Sequence, residues 1–173
     1  MRVRRIRADE WRQVRDLRLQ ALADPDASMA FIGSREVAAG QPDDHWRARA
    51  MAGAAGGPSA QFIALTGRVW QGTATVIVQE AGSLDERLRP RPERRATVVG
   101  VFVVPQARGG GAVDGLLGQC ARWATEAGFR RLFLSVHVDN VRAQAAYRRF
   151  GFRDTGVEFT SVVGDEKEMA FEL

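Results

Sequence analysis

Two stretches of this sequence hold residues whose type and spacing could do chemistry. The first is Val104-Pro105-Gln106-Ala107-Arg108-Gly109-Gly110-Gly111-Ala112. Glycines let a backbone bring several N–H groups toward one point without side-chain obstruction. A helix beginning there adds unsatisfied N–H donors and a partial positive charge, which together attract a phosphate. Arg108 contributes a permanent charge and a fork of donors. The plainer alternative is a turn that only joins a strand to a helix. No Lys-Ser or Lys-Thr follows Gly111, which argues against a Walker loop. No G-x-G-x-x-G opens a first βα unit, which argues against a dinucleotide-binding Rossmann site.

The second stretch runs from Asn140 through Val141-Arg142-Ala143-Gln144-Ala145-Ala146-Tyr147 to Phe150-Gly151-Phe152. Asn140 is placed to cap a helix, and that role alone explains it. Tyr147, the single tyrosine, falls on a helical stripe with Ala143, Ala146 and Phe150, so core packing is its plain reading. The pattern N-x-x-A-x-x-x-Y-x-x-x-G-F, downstream of R-G-x-G, resembles the GNAT superfamily of N-acetyltransferases. The likeness covers Val99 to Phe152 closely and the first half of the chain only in the order of elements. Asp24-Pro25, Ala30-Phe31, Glu36 and His45-Trp46-Arg47 are similar to a bacterial GNAT subgroup. One departure is visible: the family places Gly or Ala where this chain has Val113.

The resemblance implies a single acetyltransferase domain over residues 1–173, with acetyl-CoA as acetyl donor bound by residues 97–152. It implies that Val101, Phe102 and Val103 hold the pantetheine arm through backbone groups. Arg108, Gly109, Gly110, Gly111, Ala112 and Val113 would wrap the pyrophosphate, Asn140 would bond the pantetheine region, and Tyr147 would face the sulfur as the catalytic acid. Residues 24–58 would lie over the acceptor, with Phe31 and Trp46 lining an apolar cleft and Glu36 attracting a cationic amine. The acceptor is expected to be a small-molecule amine. A protein N-terminus or lysine is the alternative, and a non-catalytic acyl-CoA sensor is an alternative of another class.

The implied reaction is direct attack of an amine on the thioester. A thiol of pKa about 8.5 and a tyrosine of about 10 make proton delivery to the leaving sulfur a modest uphill step. Deprotonating an alkylamine of pKa about 10.4 costs roughly 4–5 kcal/mol at pH 7, against about 1 kcal/mol for an α-amino group near 8. Backbone N–H groups of the splayed strand can stabilise the oxyanion. In ribosomal-protein acetyltransferases of the superfamily, a glutamate stands five residues before the motif asparagine. Here that position is Ser135. Glu36, Glu80, His137, Asp139 or a relaying water remain as candidate bases.

The elements that must position these residues follow from periodicity. Strands are expected at Val3–Ile6, Gln61–Thr66, Val69–Gln79, Ala96–Val104, Arg131–Val138, Asp154–Thr160 and Glu166–Phe171. Helices are expected from Asp9 as cap to Leu22, over Asp43–Met51, from Val113 to Gly128, and over Val141–Phe150. The order predicts an α/β (α+β) fold with a mixed, mostly antiparallel sheet of about seven strands and helices on both faces. The resemblance places a splay between the fourth and fifth strands.

The chain's 173 residues, 45% hydrophobic and 27% charged, suit a globular protein. No apolar run approaches the roughly 20 residues of a membrane span, and the basic N-terminus lacks the apolar stretch of a signal peptide. One cysteine, Cys120, excludes an internal disulfide and fits a reducing cytoplasm. Cys120, His45 and His137 lack metal-ligand spacing, so no metal is expected. Arginines are scattered, which argues against a nucleic-acid partner. The run Arg87 to Arg95 reads as a solvated loop or as a rim attracting an anion. A homodimer stays open.

Overall fold

The computed structural model describes residues 1–85 and 88–173. Seven strands form one sheet: β1 (Arg2–Arg5), β2 (Ser59–Thr66), β3 (Val69–Gln79), β4 (Arg95–Val103), β5 (Arg131–His137), β6 (Arg153–Ser161) and β7 (Gly164–Glu172). Their spatial order is β1-β2-β3-β4-β5-β7-β6. Every neighbouring pair is antiparallel except β4 and β5, which run parallel. The five α-helices among the described residues are α1 (Trp11–Leu22), α2 (Arg35–Ala39), α3 (Asp43–Ala54), α4 (Ala112–Glu126) and α5 (Val141–Phe150). None of the described helices is long and apolar enough to cross a membrane.

Alternation along β2 explains why both faces of the sheet are covered. Phe62 and Ala64 point into a cluster with Leu116, Leu117 and Cys120 of α4. Ile63 and Leu65 point the opposite way, into a cluster with Trp11 and Val14 of α1 and Trp46 of α3. Leu116 and Leu117 are fully buried, worth roughly 1.5–3 kcal/mol each relative to exposure. Arg5 fixes the end of α3 against the sheet by donating to the carbonyls of Gly53, Ala55 and Ser59 at 2.6 to 2.8 Å.

The parallel pair separates early. Ala96, Thr97 and Val98 of β4 pair with Leu132, Phe133 and Leu134 of β5, and no pairing follows. The cause lies on the other edge of β4. Thr75 pairs with Val99 and Thr73 with Phe102, so Gly100 and Val101 together oppose Ala74. This one-residue bulge kinks the strand. Gly100, at φ +62°, supplies the left-handed backbone that the kink requires. Beyond it, the β5-facing edge of β4 is left without a strand partner.

Three local expectations are corrected. Glu10, not Asp9, precedes α1, and its carboxylate serves Arg4 and the Arg7 amide instead of capping the helix. Helical turns at Ala27–Met29 and Arg35–Ala39 occupy a region that the sequence pattern leaves unassigned. The arginine run is not uniformly solvated: Arg91 is buried and Arg95 forms an ion pair with Glu168. Arg87, which opens that run, and Glu86 before it lie outside the described residues.

Candidate active site

Where β4 and β5 part, a cleft of about 400 Å³ opens between them. Its walls are the Val98–Val103 segment, Leu134 to Val136, and the face of α5 bearing Asn140, Ala143 and Tyr147. Its mouth lies at Gly109 and Val113, where the glycine turn enters α4. Gly111 adopts φ +79°, turning the chain into the helix at a conformation that a side chain resists. The amides of Gly111, Ala112, Val113 and Asp114 have no backbone acceptor among the described residues, so α4 presents free donors and its positive end there. Asp114 would oppose an anion at this place, but Arg149 of α5 reaches it at 3.3 Å and offsets its charge.

Arg108 does not contribute a free charge to the turn. Its Nε donates to the Val103 carbonyl at 3.0 Å, and its Nη2 donates to Asp24. The Asp24 side chain is only 4% exposed. The arginine therefore ties the loop after α1 to the end of β4, and main-chain donors carry the anion-binding potential. A second ion pair spans the same cleft: Arg142, in the first turn of α5, meets Asp26 at 2.6 Å.

Asn140 is the cap of α5, its Oδ1 accepting from the Ala143 amide at 3.1 Å. The side-chain amide has no partner among the described residues, and the residue lines the cleft. Capping thus consumes the acceptor and leaves the donors. Gln144, which the sequence reading passed over, is 4% exposed. It donates to the carbonyls of His137 and Val138 at 3.0 and 2.7 Å, fixing α5 against the end of β5.

Tyr147 belongs both to the core and to the cleft. It sits 6.1 Å from Phe152 between ring centres and also lines the cavity. Burial raises its phenol well above the ordinary tyrosine value. The group stays protonated, and full transfer of its proton is steeper than the unperturbed values suggest.

A second cleft of about 560 Å³ lies on the face of the sheet carrying α1 and α3, bounded beyond β4 by the β6–β7 hairpin. The two clefts share Ala30, Phe31, Val98, Val99, Gly100, Ser135 and Glu166. Phe31 packs edge-on against Phe102 at 6.2 Å and forms part of the wall between them. Ser135 is at the junction, as the ribosomal-protein pattern places it, with no acid on its own side chain. Glu166 of β7 is the carboxylate at that junction. The candidate bases Glu36, Glu80, His137 and Asp139 line neither cleft. His137 instead accepts from the Asp139 amide through Nδ1, at 3.1 Å.

Two acceptor candidates also move. Trp46 is 2% exposed within the α1–α3 core and does not reach the cleft. Glu36 is exposed in the first turn of α2. Arg49, three residues beyond Trp46, is the charged α3 side chain that lines the cavity, and Arg18 of α1 joins it. The pattern of α3 shows two indole- and arginine-bearing faces without saying which packs inward.

The acetyltransferase (GNAT) family model matches residues 21–152, most of the chain. No curated protein matches the sequence significantly. Solved structures share the fold at low identity. A GCN5-related N-acetyltransferase from Kribbella flavida is 21% identical, with TM-score 0.71 and coverage of 99% of this chain and 97% of that one. A phosphinothricin acetyltransferase from Sinorhizobium meliloti in complex with acetyl-CoA is 18% identical, with TM-score 0.72 and coverage of 99% and 88%. A ribosomal-protein-alanine N-acetyltransferase from Brucella melitensis is 17% identical, with TM-score 0.65 and coverage of 100% of both chains.

Proposed function

Since the chain belongs to the acetyltransferase (GNAT) family and is an acetyl-CoA-dependent N-acetyltransferase, we propose that its acceptor is the amine of a small molecule. The observation that carries this reading is the meeting of two clefts at Val98 to Gly100, Ser135 and Glu166. The cavity on the acceptor side is bounded by the β6–β7 hairpin and has the roughly 300–1,000 Å³ size of small-molecule sites.

The residues fit acetyl-CoA. Free amides at Gly111 to Asp114 suit a pyrophosphate at a helix N-terminus. The unpaired edge of β4 at Val101, Phe102 and Val103 can take up the amide groups of the pantetheine arm, joined by the free donors of Asn140. Val113 stands at the wall of the cleft. Acetyl-CoA supplies an electrophilic thioester carbon and a thiolate leaving group. Overall a C–N bond forms and a C–S bond breaks. The nitrogen gives up two protons: one before attack that passes to the base and on to solvent, and one from the tetrahedral adduct that balances the proton taken up by the CoA thiolate.

Within that balance, Glu166 receives the ammonium at the junction and accepts its proton, directly or through water. Main-chain N–H groups beyond the β4 bulge face the developing oxyanion. Tyr147, kept neutral by burial, donates a hydrogen bond to the sulfur as charge develops.

Amine-dependent release of CoA from acetyl-CoA, followed by a thiol reagent and by mass spectrometry of the product, tests this function. Stoichiometric N-acetylation of a small amine is expected. Binding of acetyl-CoA without turnover on any member of a broad amine panel would reassign the fold to acyl-CoA sensing. Turnover confined to peptide N-termini or lysines would reassign the acceptor to protein.

A further inference from the structure

The acceptor-side cleft holds three charged side chains among the described residues: Arg18, Arg49 and Glu166. They are not mixed. Arg18 and Arg49 also line a small recess beneath the cleft with Gln61, Thr73, Thr75 and Gly100, and Glu166 is absent from it. Glu166 lies instead at the junction with the cofactor cleft, from which both arginines are absent. The charges are therefore segregated, with Arg18 and Arg49 together on the α1–α3 side of the Gly100 bulge and Glu166 on the hairpin side, at the junction with the cofactor cleft.

The two arginines differ from the others that the site uses. Arg108, Arg142 and Arg149 each meet an aspartate. Among the described residues Arg18 donates only to the Ile32 carbonyl, at 2.8 Å, with its guanidinium over the Phe31 ring at 5.0 Å. Arg49 has no hydrogen-bond or ion-pair partner among the described residues. Although Arg49 is exposed as a residue, protein crowds its charged end, and that desolvation lowers its pKa. Desolvation and then repulsion from Arg49 lower Arg18 to about 10, so both still carry charge at neutral pH. Two like charges held in one recess without a carboxylate are a standing cost that an anion between them would offset. Gln61 and Thr75 supply further polar groups there.

We propose that the acceptor is zwitterionic, an amine that also bears a carboxylate or phosphonate-type anion, with the anion held by Arg18 and Arg49 and the ammonium at Glu166. This rests on the acetyltransferase reading and narrows it. It also inverts the expectation of a cationic acceptor drawn by Glu36. Amino acids and aminoalkyl phosphonates fit, whereas polyamines and aminoglycoside-like polycations meet two unpaired arginines.

The experiment uses matched amines differing only in the anion: α-amino acids against their carboxamides, and 2-aminoethylphosphonate against ethylamine, with spermidine as a polycation. Initial rates of CoA release are measured, together with calorimetric binding to the CoA-loaded protein. Turnover or binding of anionic members at least tenfold better than their neutral partners is expected. Arg49→Gln, on a face where folding is not at stake, should lower kcat/KM or affinity for them by roughly 10- to 100-fold. It should leave the acetyl-CoA affinity unchanged and shrink the preference for anionic members over their neutral partners. Equal or better use of carboxamides or spermidine overturns the proposal while leaving the acetyltransferase intact. Anion-selective binding, lost in Arg49→Gln, without any turnover would sustain the arginine site and refute the enzymatic reading. Binding of no anionic member overturns the proposal.

Discussion

The pairing of Arg108 with Asp24 offers the sharpest test of how the cofactor turn is built. If Arg108 were a free pyrophosphate ligand, Asp24→Asn would release it and tighten acetyl-CoA binding. The geometry argues otherwise. Arg108 bonds Val103 and Asp24 at once, and Asp24 also accepts from the Asp26 amide at 3.1 Å. Removing Arg108 leaves a carboxylate that is 4% exposed with one backbone donor. Breaking a fully buried pair costs about 3–5 kcal/mol. Arg108 is 26% exposed, so water enters when it is lost, which reduces the expected cost to about 2 kcal/mol. For a chain of this length that is a fall in Tm of roughly 4–8 °C.

The assay is a double-mutant cycle of Asp24→Asn and Arg108→Gln by urea unfolding, with calorimetric titration of acetyl-CoA into each variant. A coupling energy of about 1–2 kcal/mol is expected, with both single variants less stable than the parent. Both should also bind cofactor more weakly, because the Asp24–Phe31 loop that lines the cleft loses its anchor to β4. Additivity within about 0.3 kcal/mol, combined with tighter binding by Asp24→Asn, would refute the clamp and restore Arg108 as a ligand.

Tyr147→Phe should lower kcat by roughly 10- to 100-fold, at the low end of acid–base effects because burial makes the phenol a poor acid. Calorimetry should find the acetyl-CoA affinity retained, and an unchanged kcat would remove the hydroxyl from the reaction. Glu10 is held below its ordinary value chiefly by its hydrogen bonds to Arg4, at 2.5 and 2.8 Å. A depressed folded pKa contributes stability that is complete above the unfolded value, about 4.3, and is lost as pH falls through the folded one. Urea midpoints measured downward from pH 5 should fall in the parent more steeply than in Glu10→Gln. Cys120 is fully buried and its thiol pushed up by desolvation. Ellman's reagent should therefore leave it unmodified in the folded protein and label it in urea, so that CoA release can be read without a background from the enzyme.

How much of this was legible beforehand depends on whether local or distant residues decide it. The range Val69–Gln79 for β3 and Val141–Phe150 for α5 were readable because alternation and helical spacing are written in consecutive residues. The glycine turn and Asn140 were readable for the same reason, since capping and left-handed backbone are local demands. The splay was not derivable from periodicity: it depends on which residue of β3 faces Gly100, a register set between strands. Arg108 shows the limit most clearly. Its position in the turn is local, whereas its partner Asp24 is 84 residues away in sequence, so its charge looked available until the fold brought the two together.

The acceptor side was least legible because its charged residues lie on elements chosen for other reasons. Arg18 follows the buried Leu17 on α1, and Arg49 precedes the buried Ala50 on α3. Each is one position off a packing stripe, where a charged residue ordinarily faces solvent. They face a cavity because α1 and α3 pack side by side on one face of the sheet, where Gly100 of the β4 bulge lines the same recess. Glu166 reaches the same cavity from a hairpin at the far end of the chain. No composition rule separates these arginines from the others, but among the arginines lining the two clefts a carboxylate partner does: Arg108, Arg142 and Arg149 each have one among the described residues, and Arg18 and Arg49 do not. Charge pairing across the fold, and not sequence position, is therefore what singles out Arg18 and Arg49 within the clefts as the pair to test for anion binding.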